Sequence, residues 1–234
     1  DPALRRRLDA GLAPAWERLR ENLAAPAEQM DDLPTDRKIV AFPLEYEHEE
    51  NFFRIHGAFA SNSDWVAYLA ERLGDDVFLA ITNHPLNELH VDNSALYDLV
   101  ASLPGRAAIV NGGAPGGATE RLARRSDGMI VGNSKCFTTG AFFGTPMLRQ
   151  STFATGEWLN AWQEVNAFID AIRSGDRRGA REDDARTWFA FHIANNIFDP
   201  THPDVDAVEI IERFDRPVDP ARWEIGFDRY REYR

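Results

Sequence analysis

Four short segments carry residue types suited to handling phosphates and hydroxyls. His84 stands directly before Pro85, Ser134 is followed by Lys135, glycines recur at Gly112, Gly113, Gly116 and Gly117, and an acidic run extends from Glu45 to Glu50 with His48 inside it. A histidine held at the end of a strand can donate to a phosphate oxygen, although a lone histidine also serves as an ordinary structural residue. Pro85 fixes the backbone after His84 and steers His84 away from helical geometry. The glycines leave backbone N–H groups unobstructed ahead of a helix, where the helix dipole favours an anion; a plain flexible turn is the alternative. This loop matches neither G-x-G-x-x-G nor the P-loop ending. Ser134 and its neighbouring N–H groups can hold a phosphate, with Lys135 adding charge, or Ser134 can simply cap a helix. In extended geometry Glu45, Glu47 and Glu49 share one face. Glu47 and Glu49 are the candidates for a general base or a hydroxyl-binding role, against the reading of a solvated charge run.

The elements that must position these groups are written in the hydrophobic pattern. Lys38–Leu44, Val77–Thr82, Ala107–Val110 and Met129–Val131 are apolar runs without strict polar alternation, as strands covered on both faces require. Helical patterns lie between them at Ser61–Leu73, Asn93–Leu103 and Thr119–Arg125, with a further helix beginning near Phe137. Alternating strands and helices predict an α/β fold with a Rossmann-like, doubly wound parallel sheet. An amphipathic helix is expected from Pro2 to about Ala25. After Pro146 the pattern turns mainly helical, with Glu157–Ser174, Glu182–Phe198 and Val205–Phe214 as segments. The expected layout is an N-terminal helix and linker over 1–36, a Rossmann-like core over 37–156, and a helical extension over 157–234 packing on that core. In such sheets ligands bind beyond the carboxyl ends of the strands, and all four chemical segments follow a predicted strand.

Composition narrows the function classes. The 234 residues, 44% hydrophobic, suffice for a real core. A formal charge of −12 argues against gripping nucleic-acid backbone or an anionic membrane. Lys38 and Lys135 are the only lysines and Cys136 the only cysteine, so no intrachain disulfide can form. No apolar run approaches the roughly 20 residues of a membrane helix, and no charged-then-apolar leader precedes the first helix. A cytoplasmic location is the expectation. Asp1 in place of an initiator methionine raises the expectation of a piece of something longer.

At these residues the sequence resembles the GT-B sugar transferases of capsule polysaccharide synthesis, particularly those related to Kdo transferases. The family segment Pro-Leu-His-x-Glu-Pro-Glu reads here Pro43-Leu44-Glu45-Tyr46-Glu47-His48-Glu49. Its Lys-Glu-His-Pro reads Thr82-Asn83-His84-Pro85. Its Ser-x-x-Gly-x-Glu-Ala and later Gly-Lys-Pro correspond to Ser134 through Gly140 and to Gly144-Thr145-Pro146. The order holds over roughly residues 38–150. The resemblance implies a sugar-nucleotide donor, CMP-linked in the related enzymes, with His84 and Ser134 at its phosphates. It also implies a glycan acceptor, an acceptor domain or partner chain, and no cofactor or metal. The sequence departs where Thr82 replaces a lysine, Phe137 a glycine, and Thr139 the glutamate near the donor ribose, so Thr139 enters the donor site as a substituted position.

Two other readings compete with the transferase. A non-catalytic carbohydrate- or protein-binding module of the same fold accounts for Thr82 and Thr139. A serine hydrolase would use Ser134 within Gly132-Asn133-Ser134-Lys135-Cys136, with His192 and His202 downstream, although Cys136 replaces the last glycine of the G-x-S-x-G elbow.

Overall fold

A computed structural model describes residues 30, 32–48, 57–110, 117–151, 156–196 and 208. The chain divides into two compact units, Asp1–Ala180 and Arg181–Arg234. The expected N-terminal helix and the segment Val205–Phe214, apart from residue 208, lie outside the described residues.

In the first unit the described strands are β1 (Lys38–Pro43), β2 (Val77–Thr82), β3 (Ala107–Ile109), β4 (Gly128–Val131) and β5 (Met147–Arg149). They form one sheet in the order β3-β2-β1-β4-β5, with every pair parallel. The chain therefore builds outward from β1 to β3, crosses back to β4 beside β1, and continues to β5. This is a doubly wound, Rossmann-like sheet with its topological switch point between β1 and β4. β1 and β2 are almost continuously buried, which explains their unbroken apolar runs.

Six α-helices occur among the described residues of this unit: α1 (Asn62–Leu73), α2 (Pro85–His90), α3 (Ser94–Ala101), α4 (Ala118–Arg125), α5 (Phe137–Phe143) and α6 (Val165–Ser174). Ser61 caps α1, its Oγ accepting from the Asp64 N–H at 3.0 Å. The apolar stripe Trp65, Val66, Leu69 and Leu73 of α1 joins Val40 and Phe42 of β1, Leu44 just past it, and Phe168, Ile169 and Ile172 of α6 in one core. Each large side chain fully buried there contributes about 1.5–3 kcal/mol. Close approach requires two glycines. A Cβ at Gly128 would lie 2.6 Å from the Phe168 ring, and one at Gly140 would lie 2.4 Å from the Met147 sulfur.

Two expectations change. Met147–Arg149, in a region read as helical, is the edge strand β5; a three-residue strand is too short to display a period. The expected helix Glu157–Ser174 is broken. A 3-10 turn at Glu157–Leu159 ends at Asn160, whose φ of 51° is left-handed. Trp162 then pairs with β5, donating to the Met147 carbonyl and accepting from the Arg149 N–H, both at 2.8 Å, before α6 begins. In the second unit α7 spans Glu182–Asn196.

Candidate functional site

The carboxyl edge of the sheet brings the ends of β1, β2, β4 and β5 together, with the switch point in the middle. Glu45, just past β1, is 7% exposed. Its Oε1 accepts the Ser134 N–H at 2.9 Å, from the loop that follows β4, and the Asn133 N–H bonds the same carboxylate. A Cβ on Gly132 would come within 2.4 Å of that oxygen and 2.7 Å of Trp65 Cη2, so only glycine lets the carboxylate in. Burial raises the Glu45 pKa above its ordinary value of 4.5; the Ser134 and Asn133 N–H groups and the positive charge of Arg149 oppose that rise.

A network of asparagines fixes the Glu45 backbone. Its carbonyl accepts from Asn62 Nδ2 at 2.9 Å and from Asn87 Nδ2 at 2.8 Å. Asn87 is fully buried on α2, donates to Asn83 Oδ1 at 2.9 Å and accepts the Glu47 N–H at 2.9 Å. The ends of β1 and β2 are thereby locked to each other, since buried amides of this kind are costly to leave unpaired.

His84 caps α2: its Nδ1 accepts the Leu86 N–H at 3.2 Å. An accepting Nδ1 places the proton of neutral imidazole on Nε2. Burial lowers the His84 pKa below 6.5, which favours that neutral donor form. The ring stacks on Tyr46 with centroids 5.4 Å apart, and Tyr46 stacks in turn on His48 at 5.6 Å.

The remaining candidates take varied places. The Glu47 carboxylate accepts the Asn62 N–H at 2.7 Å, at the first residue of α1, so it serves the positive end of that helix. Ser134 Oγ accepts the Cys136 N–H at 3.2 Å and also bonds the Cys136 thiol, whose pKa burial pushes up. Lys135 is exposed, with its carbonyl accepting from Thr138. Thr139 lies in the first turn of α5, half-buried, its N–H donating to the Cys136 carbonyl at 3.0 Å. Thr82, where the resemblance has lysine, joins Thr119 of α4 through hydroxyls 3.0 Å apart. Glu49, Gly112, Gly113 and Gly116 lie outside the described residues. His202 does too, while His192 belongs to the second unit, stacked on Trp188 at 4.7 Å.

Sequence reasoning passed over two charged residues at this edge. In the sequence Glu45 is one of an acidic run; the usable signal is Gly132, a small residue closing the strand across the switch point. Arg149 ends the unrecognised β5, and its guanidinium lies over the Phe137 ring, 4.6 Å from the centroid. At the opposite, amino edge a recess of about 520 Å³ is lined by charges that pair with one another, Lys38 with Asp127 at 3.2 Å and Arg173 with Asp76 at 2.7 Å. These pairs tie strand starts and α6 together. Among the described residues no cluster of three metal-ligating side chains occurs, and no helix is long and apolar enough to cross a membrane.

No protein-family model and no curated protein matches the chain. Among solved structures it is similar to the wall teichoic acid polymerase TagF, at 15% identity and a TM-score of 0.44, over 74% of this chain and 43% of that one. The same polymerase with CDPG is similar at 15% identity and a TM-score of 0.38, over 72% and 45%. S. aureus MnaA in a UDP co-structure is similar at 13% identity and a TM-score of 0.39, over 76% and 51%. The chain thus spans about half the length of these structures.

Proposed function

We propose that this chain is the sugar-nucleotide-binding half of a GT-B glycosyltransferase in surface or capsular polysaccharide synthesis, acting in the cytoplasm. The donor, CMP-linked by the resemblance, lies across the carboxyl edge of the sheet, and a glycan acceptor is presented by an acceptor domain or partner chain. The observation that carries the reading is His84. Its Nδ1 is occupied by the Leu86 N–H and burial disfavours its cation, so the imidazole offers an Nε2–H at the end of β2. A preorganised donor of this kind can stabilise the charge on a departing phosphate. The resemblance puts His84 and Ser134 at the donor phosphates and Thr139 at the position near the ribose.

The test is calorimetric titration of the chain with CMP-, UDP- and GDP-sugars, followed by His84→Ala. Binding of one of them, weakened in the variant, is the expected result; unchanged affinity would remove His84 from the site. One observation favours the non-catalytic module of the same fold: the Thr82 hydroxyl is committed to Thr119, where the family places a charge. For that reading no sugar nucleotide raises the melting temperature.

A further inference from the structure

The N–H groups of Asn133 and Ser134, which a phosphate at Ser134 would need, are already bonded to the Glu45 carboxylate. An anion arriving at the switch point must therefore find its donor elsewhere on the same edge. Arg149 is the group that fits. It is the last residue of β5, next to β4 in the sheet, with Val131 and Arg149 in register. Its guanidinium rests on the ring of Phe137, three residues after Ser134, which fixes the orientation of the fork.

Among the described residues no carboxylate forms an ion pair with this arginine. Nε is buried with no hydrogen-bond partner among the described residues. Glu45 acts on it only through longer-range attraction, since the two form no ion pair, and burial lowers the Arg149 pKa. A partly buried guanidinium without a bonded anion is costly, because desolvation is not repaid by a partner. Arg106 and Arg121 also carry a buried Nε without a hydrogen bond, but Arg106 lies 3.2 Å from Asp75 and donates to the Ala70 carbonyl, and Arg173 grips Asp76 at 2.7 and 2.8 Å.

We infer that Arg149 is the anion-binding residue of the switch point and takes the phosphate group of a nucleotide ligand in a charge-assisted, forked contact. Glu45 keeps the β4 loop closed to the same anion and leaves Arg149 as its donor. This rests on the reading of the carboxyl edge as a nucleotide-sugar site, and it shifts the phosphate contact one strand outward, from the Ser134 amides to the end of β5. The planar fork suits phosphate geometry in a way that an ammonium does not.

The experiment is calorimetry of the full chain with CMP, UDP and inorganic diphosphate, comparing wild type with Arg149→Gln, Arg149→Lys and, as a control at the far end of α1, Arg72→Gln. Loss of a charged hydrogen-bonding group predicts affinity for the bound probe about ten- to a hundred-fold weaker in Arg149→Gln, partial recovery in Arg149→Lys and no change in Arg72→Gln. Arg149→Met should melt no lower than wild type without ligand, because it removes a buried charge that lacks a partner; a lower melting temperature would mark a structural arginine and overturn the inference. A nucleotide bound equally by wild type and Arg149→Gln would also overturn it while leaving the proposed function intact. Inorganic diphosphate bound through Arg149 with no preference for either nucleotide would support the anion site and count against the nucleotide-sugar reading. Failure of wild type to bind all three probes would defeat both.

Discussion

Gly132→Ala is the sharpest perturbation of the switch point, because its cost follows from distances across two strands. The added methyl would lie 2.4 Å from Glu45 Oε1, 2.7 Å from Trp65 Cη2 and 3.2 Å from the Gln150 carbonyl oxygen. Trp65 cannot withdraw: it is 2% exposed, its Nε1 donates to Gln150 Oε1 at 2.8 Å, and Phe42 and Phe59 hold its ring at 4.8 and 5.3 Å. The least costly response is for Glu45 to swing away and abandon the Ser134 N–H. Overpacking of this kind costs about 1–3 kcal/mol and a charge-assisted bond about 1.5–3 kcal/mol, so the variant should lose about 2.5–6 kcal/mol. Because the chain comprises two compact units, stability is read from the transition of the sheet unit itself. Hydrogen exchange at the β1 and β4 amides reports the sheet directly. The cycle with Glu45→Ala isolates the carboxylate: once Glu45 is truncated, the methyl meets only Trp65 and the Gln150 carbonyl, and the coupling should reach about 1.5–3 kcal/mol. A Gly132→Ala variant as stable as wild type, or costs additive to within about 0.5 kcal/mol, would mean that the Glu45 carboxylate does not occupy the β4 loop.

Two further expectations concern residues with assigned partners. Glu47→Ala removes the carboxylate that accepts the Asn62 N–H, so it should destabilise the sheet unit by about 0.5–2 kcal/mol, as lost helix caps do, while leaving nucleotide affinity unchanged; a loss of affinity without a loss of stability in urea unfolding would reverse that assignment. For His84 the native pKa lies below 6.5, so between that lowered value and 6.5 the unfolded chain binds more protons than the native one. The stability contribution is complete above pH 6.5 and is lost as pH falls through the native pKa. Urea midpoints measured from pH 7.5 to 5 should show a smaller acid-side loss in His84→Gln than in wild type, and parallel profiles would refute the buried neutral imidazole.

The sheet was readable because burial on both faces leaves a local mark. Lys38–Pro43 and Val77–Thr82 are apolar at nearly every position, and Ser61 announces α1 through its own hydroxyl. Such features depend on residues a few positions apart, which a single segment contains in full. β5 left no mark of this kind, since three residues have no period, and its pairing partner Trp162 lies within a stretch with helical composition.

The sequence alone determined that alternating strands and helices would place His84, Ser134 and the acidic run at strand ends. Tertiary structure decided what those ends do to one another. The order β3-β2-β1-β4-β5 sets Glu45 beside Ser134, 89 positions away, and lets its carboxylate take N–H groups otherwise open to a phosphate. It also gives Glu47 to a helix terminus and buries Arg149 Nε with no hydrogen-bond partner among the described residues. Periodicity encodes which face of an element is buried. Competition among donors and acceptors for partners is settled only when distant segments meet, and at this edge that competition defines the site.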